Sequence, residues 1–183
     1  MTVSKSLVLT VIGNDRPGIV NKVSDVARKF DANWAGSRMA SLAGQFAGIV
    51  HFQVPDEKAD ALAEAFRALD SSALHVVVNS PDAAAAPGAQ RIVRLGLVGN
   101  DRPGIVRDLS GSLVRRGVSI EELHTEIVSG AMSGEQMFQA KALLRVPAGL
   151  ATDELRRVLE GLANELMVDI ALDDAATRLA ATP

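Results

Sequence analysis

The sequence predicts an α+β protein made of two copies of one small βαββαβ unit, each an antiparallel sheet with two helices on one face. Three observations predict it. The segment Gly13-Asn14-Asp15-Arg16-Pro17-Gly18-Ile19-Val20 recurs unchanged as Gly99-Asn100-Asp101-Arg102-Pro103-Gly104-Ile105-Val106, an offset of 86 from Gly13 to Gly99. A short apolar run precedes each copy, Leu7 to Ile12 and Ile92 to Val98. The pattern after each copy passes from helical spacing to alternation, back to helical spacing and into a final apolar run.

Each element has its own justification. The opening runs are short, β-branched and apolar, which suits a buried strand. Pro17 fits the first turn of a helix, where a missing N–H costs nothing. Ile19, Val20, Val23, Val26, Ala27 and Phe30 then give that helix one apolar face, kept in the second copy by Ile105, Val106, Leu109 and Leu113. A hairpin follows, turning near Ala43-Gly44, with Phe46, Gly48, Val50, Phe52 and Val54 on one face and Gln45, His51 and Gln53 on the other. Its counterpart carries Phe138, Ala140, Ala142, Leu144 and Val146, and its tip, Ser129 to Gly134, is about six residues longer. The next helix turns Leu62, Ala65, Phe66 and Leu69 inward, mirrored by Leu155, Val158, Leu159 and Leu162. Apolar runs from Leu74 to Val78 and from Leu166 to Leu172 close the two copies.

That order is the split-βαβ, ferredoxin-like plan. Residues 1–80 and 91–173 are the expected domains, joined by a proline- and alanine-rich linker at 81–90 and followed by a tail at 174–183. Helices on one side leave the other sheet face to be covered. Val8, Ile12, Ile49 and Val77 put apolar groups there in the first copy, so pairing with a sister domain or another subunit is expected.

Composition removes several function classes. A net charge of -3 with mixed signs offers no basic surface for a phosphate backbone, and 3% aromatic residues supply little for base stacking. Direct nucleic-acid binding is therefore not expected. The absence of cysteine excludes disulfides and thiolate chemistry. The N-terminus lacks the long apolar core of a signal peptide and no run reaches membrane-spanning length, so a cytoplasmic location is expected.

No catalytic or metal constellation stands out, so neither an enzyme nor a cofactor is expected. His51, His75 and His124 are scattered without ligand spacing and read as ordinary strand residues. Ser110-Gly111-Ser112 lies within a predicted helix rather than at a nucleophile elbow. Gly96-Leu97-Val98-Gly99 lacks the glycine and lysine pattern that cradles phosphates. Arg115-Arg116 and Arg156-Arg157 read as solvated helix surface.

The repeated Asn-Asp-Arg-Pro-Gly turn carries the chemistry. It links a strand's end to a helix's start, where unpaired N–H groups and the helix dipole favour a carboxylate. Gly18 and Gly104 permit close approach, while Asp15 and Asp101 can accept from a ligand ammonium. An aspartate before a helix is equally a cap worth about 1 kcal/mol. The residues alone leave both readings open.

The Gly-x-Asp-x-Pro-Gly-Ile-Val turn, an amphipathic helix and Val118-Ser119-Ile120-Glu121-Glu122 together resemble the ACT domain over about residues 5–173. The tandem arrangement resembles the glycine cleavage system transcriptional repressor family. This resemblance implies a non-catalytic regulatory protein that binds glycine or a similar small amino acid at ACT-domain interfaces and modulates a protein partner, a transcriptional activator among the candidates. It implies a homodimer, with Asn14, Asp15, Arg16, Gly18 and Asn33 of the first copy and Asn100, Asp101, Arg102, Gly104 and Ser119 of the second as ligand contacts. The alternative it leaves is a separate regulatory subunit of an amino-acid-metabolism enzyme. Trp34-Ala35-Gly36 stands where the second copy has Ile120-Glu121-Glu122, nearer the family pattern, so the second copy is the expected better site.

Overall fold

The computed structural model describes residues 4–81, 90–129 and 135–174. The tip at 130–134, most of the expected linker (82–89) and most of the expected tail (175–183) lie outside them. The chain forms two compact units, Met1–Ala85 and Ala86–Pro183.

The first unit runs β1 (Ser4–Asn14), α1 (Ile19–Lys29), β2 (Asn33–Leu42), β3 (Gln45–Pro55), a turn of 3-10 helix (Asp56–Lys58), α2 (Ala59–Arg67) and β4 (Leu74–Asn79). Its strands lie in the order β2-β3-β1-β4, every neighbouring pair antiparallel. The second unit repeats this with β5 (Gln90–Asn100), α3 (Ile105–Val114), β6 (Ser119–Ser129), β7 (Gln136–Pro147), α4 (Thr152–Leu166) and β8 (Val168–Asp174), in the order β6-β7-β5-β8. Both are the split βαββαβ plan.

Strand alternation selects the core of each unit. Leu7, Leu9 and Val11 of β1 with Val50, Phe52 and Val54 of β3 meet Ile19, Val23 and Ala27 of α1 and Leu62, Ala63 and Phe66 of α2. Phe52 packs edge-on against Trp34, ring centroids 5.2 Å apart, and lies 5.0 Å from Phe66 at a tilt. The second core is aliphatic: Val93, Leu95 and Leu97 with Ala142, Leu144 and Val146, under Leu109, Leu113, Leu155, Leu159 and Leu162.

Several expected details differ. Pro17 sits in the turn before α1 rather than in its first turn, because Gly18 reverses the chain and the helix starts at Ile19. With Ile19 turned inward, the next residue is rotated by about 100°, and both Val20 and Val106 are exposed. Leu166 and Met167 belong to the end of α4 rather than to the final strand. Ala43, at φ 49, turns the short hairpin with Gly44, the paired positive-φ geometry that matches strand twist.

The outer sheet faces differ sharply. In the first unit, Arg38, Ile49, Thr10 and Val77 form one cross-strand row and Ala40, Ala47, Ile12 and His75 the next. Ile12, Ile49 and Val77 are each about half exposed there. In the second unit the matching rows are His124, Lys141, Gly96 and Ala171, then Glu126, Gln139, Val98 and Asp169. One face is apolar at its centre; the other is charged.

Candidate functional site

The two repeated turns share a backbone. Gly18 and Gly104 occupy the N-cap positions of α1 and α3 in the left-handed region, at φ 95 and 102, where a side chain would be strained. Neither helix has a side-chain cap, so first-turn N–H groups face outward at the positive end of the dipole. The turn is tied to the neighbouring hairpin in both units: Asp15 N–H donates to the Gly44 carbonyl at 2.9 Å, and Asp101 N–H to the Gln136 carbonyl at 2.9 Å. Neither aspartate caps a helix through its side chain.

The side chains diverge. Ser41 donates its hydroxyl to the Asp15 carboxylate at 2.7 Å, and Gln45 donates to the Asn14 carbonyl oxygen at 3.0 Å. The positions of Ser41 and Gln45 are held in the second unit by Ile127 and Met137, which cannot donate these bonds. Among the described residues the Asp101 and Asn100 side chains consequently make no hydrogen bond. Asp101 is thus the turn carboxylate without a side-chain partner among the described residues. The helix starts differ in the opposite sense: α1 has no acidic residue in its first turn, whereas α3 carries Asp108 there. Attraction for an anion is therefore stronger at α1.

Asn14, Asp15, Arg16 and Gly18 are exposed and contiguous, as are Asn100, Asp101, Arg102 and Gly104. Asn33 and Ser119 lie elsewhere. Asn33 pairs with Gln53, which pairs with Ser6, eight residues along β1 from Asn14. At about 3.3 Å per residue, it lies roughly 26 Å from the turn along the sheet. Ser119 stands likewise beside Arg145 and Ile92, at the end of its sheet away from Asn100. Each opens a strand that bulges at once, between Trp34 and Gly36 and between Ile120 and Glu122, and Arg145 donates to Glu121 at that bulge at 2.6 Å. Within one sheet, turn and strand opening are separate.

A cleft of about 400 Å³ lies beside Asn100 in the second unit, lined also by Val98, Met137, Asn164, Met167 and Asp169. No sequence pattern marks this place, since α4 and β8 meet Asn100 only through the strand order. The histidines are dispersed: His51 is 3.1 Å from the Ser6 hydroxyl, His75 is 3.6 Å from Asp70, and His124 lies on the other sheet. Among the described residues no group of three potential ligands could hold a metal ion, and no helix is long and apolar enough to cross a membrane.

Residues 5–78 match the ACT domain family. No curated protein sequence matches the chain. Among solved structures, an unknown protein from Galdieria sulphuraria is similar at 28% identity, covering 94% of this chain and 99% of that one with a TM-score of 0.84. A "putative glycine cleavage system transcriptional repressor" is similar in fold, at 19% identity, 93% and 97% coverage and a TM-score of 0.67. The first unit matches the ACT domain over nearly its whole length, and the second repeats the same ferredoxin-like pattern strand for strand.

Proposed function

We propose that this protein is a non-catalytic regulator that binds a small amino acid, glycine or one of similar size, and thereby modulates a protein partner. The observation that carries this reading is the duplicated turn, in which left-handed Gly18 and Gly104 open uncapped helix starts beside Asp15 and Asp101. Uncapped N–H groups suit a carboxylate and an aspartate suits an ammonium, the two ends of a free amino acid. Fold likeness over nearly the full chain to the "putative glycine cleavage system transcriptional repressor" supports a role of that kind; a transcriptional regulator as partner and the cytoplasm as the place of action are part of the proposal.

Asn33 and Ser119 join this site only through a second ACT-type sheet. Each lies at the far end of its own sheet from the turn, so a ligand touching both needs two sheets running in opposite senses. The half-exposed Ile12, Ile49 and Val77 supply apolar surface for such pairing, and a homodimer is the assembly we propose.

Calorimetry and thermal shift with glycine, alanine and serine test the reading. Ligand at 100-fold excess over Kd raises stability by about 2.7 kcal/mol. Asp101→Ala is expected to weaken binding more than Asp15→Ala, because Ser41 already occupies the Asp15 carboxylate. No heat and no shift with any of the three, or an effect unchanged in the double variant, would sink it.

A further inference from the structure

Beside the turn of the second unit, and sharing Asn100 with it, lies a cleft whose chemistry differs from that of the turns. The end of β5 forms one side with Val98, Gly99 and Asn100, while Ala163, Asn164 and Met167 close it from the end of α4 and Val168 and Asp169 from β8. Three features give it a sign. Asp169 is exposed and, among the described residues, forms no ion pair. The C-terminal end of α4 is the negative pole of a 15-residue helix and has no basic residue in its last turn. The first unit lacks the carboxylate at the equivalent strand position: His75 stands beside Ile12 where Asp169 stands beside Val98.

The remaining wall is amphipathic. Asn100 and Asn164 offer carboxamides that both donate and accept. Met137 is the neighbour of Asn100 where Gln45 bonds to Asn14 in the first unit, which leaves the Asn100 carboxamide open. Met167 stands at the rim, 81% exposed and at φ 54, a left-handed backbone that an unbranched apolar residue rarely holds. Methionine side chains adapt to irregular apolar partners.

We infer that this cleft binds a small aliphatic amine with a polar far end. Its ammonium sits on Asp169 at the negative end of α4, its far end reaches the Asn100 and Asn164 carboxamides, and its carbon chain lies against Met137 and Met167. The first unit has His75 where the second has Asp169, and Gln45 bonded to Asn14 where the second has Met137, so it lacks both the carboxylate and the open carboxamide.

The experiment titrates the full chain with 4-amino-1-butanol, butylamine, butanol and butyrate, following the amide and carboxamide signals of residues 98–100 and 163–169 by NMR. The expected order is 4-amino-1-butanol tighter than butylamine, with butanol and butyrate not binding. Asp169→Asn is expected to weaken the amines about tenfold, the size of one charge-assisted hydrogen bond. Asp169→Ser serves as a second variant should the first unfold, and Asp101→Ala should leave amine binding intact while weakening glycine. Equal binding of butanol or butyrate, affinity within about twofold in both Asp169 variants, no binding of either amine, or signals that move elsewhere would each overturn the inference. The glycine titration separates that failure from failure of the turn site.

Discussion

The first and second units share a strand order, a register and a turn, yet they fill that frame differently. The first has Phe52 packed between Trp34 and Phe66, an apolar outer face around Ile49 and an Asp15 already bonded to Ser41. The second has Leu144 and Leu159 in its core, Lys141 in place of Ile49 and an Asp101 with no such bond. Duplication preserved the parts that set the backbone, namely alternation, helix face and left-handed glycine. Side chains that leave the backbone unmoved were free to diverge, so the two units offer unequal chemistry on equal scaffolds.

The largest expected effect tests the cores. Phe52→Ala should destabilise the first unit by about 3–5 kcal/mol, since it removes a fully buried ring together with its contacts to Trp34 and Phe66. Leu144→Ala should cost the second unit about 2–5 kcal/mol. Denaturant melts followed by hydrogen exchange assign each loss. Protection lost equally in both halves after either change would break the picture of two separately filled cores.

A smaller effect tests the outer faces. Ile49→Lys gives the first sheet the residue that Lys141 supplies in the second, at a position 53% exposed. For a surface site the stability change is expected within about 0.5 kcal/mol. Sedimentation of the variant should show loss of self-association if that face pairs in the proposed homodimer; unchanged association would remove Ile49 from the interface.

The smallest effect is electrostatic. Lys58 donates to the Asp31 carboxylate, whose hydrogen bond and charge hold the lysine ammonium protonated above its usual range. A raised folded-state value means that the pair's contribution is fully present below the unfolded lysine value and is lost as pH rises through the folded one. Asp31, at φ 56, has its counterpart in Gly117, at φ 68, which carries no charge. Alkaline melts should therefore lower the first unit slightly and specifically, and Lys58→Met should abolish that pH dependence. A decline of the same size in the variant would assign it to other groups.

Much of the architecture was legible because it rests on short-range pattern. The alternation of Phe46, Val50, Phe52 and Val54 named the buried face of β3, and the spacing of Ile19, Val23 and Ala27 named that of α1. Val20 and Val106 escaped the same reading because an apolar residue beside an inward one is indistinguishable by type alone; the outward rotation appears only once the helix start is known.

The chain's sequence by itself determined that there are two units, which strand and helix faces are buried, and that the same glycine-containing turn precedes a helix in each. Those properties follow from periodicity and from the conformational freedom of glycine, which act over a few residues. Only the tertiary structure decided that Asp15 is bonded to Ser41, 26 residues away, that Asn33 lies at the opposite end of the sheet from the turn, and that Asn100, Asn164 and Asp169 line one cleft. Each depends on which strand lies beside which, and long-range pairing sets the chemical neighbours of a side chain independently of its neighbours in sequence.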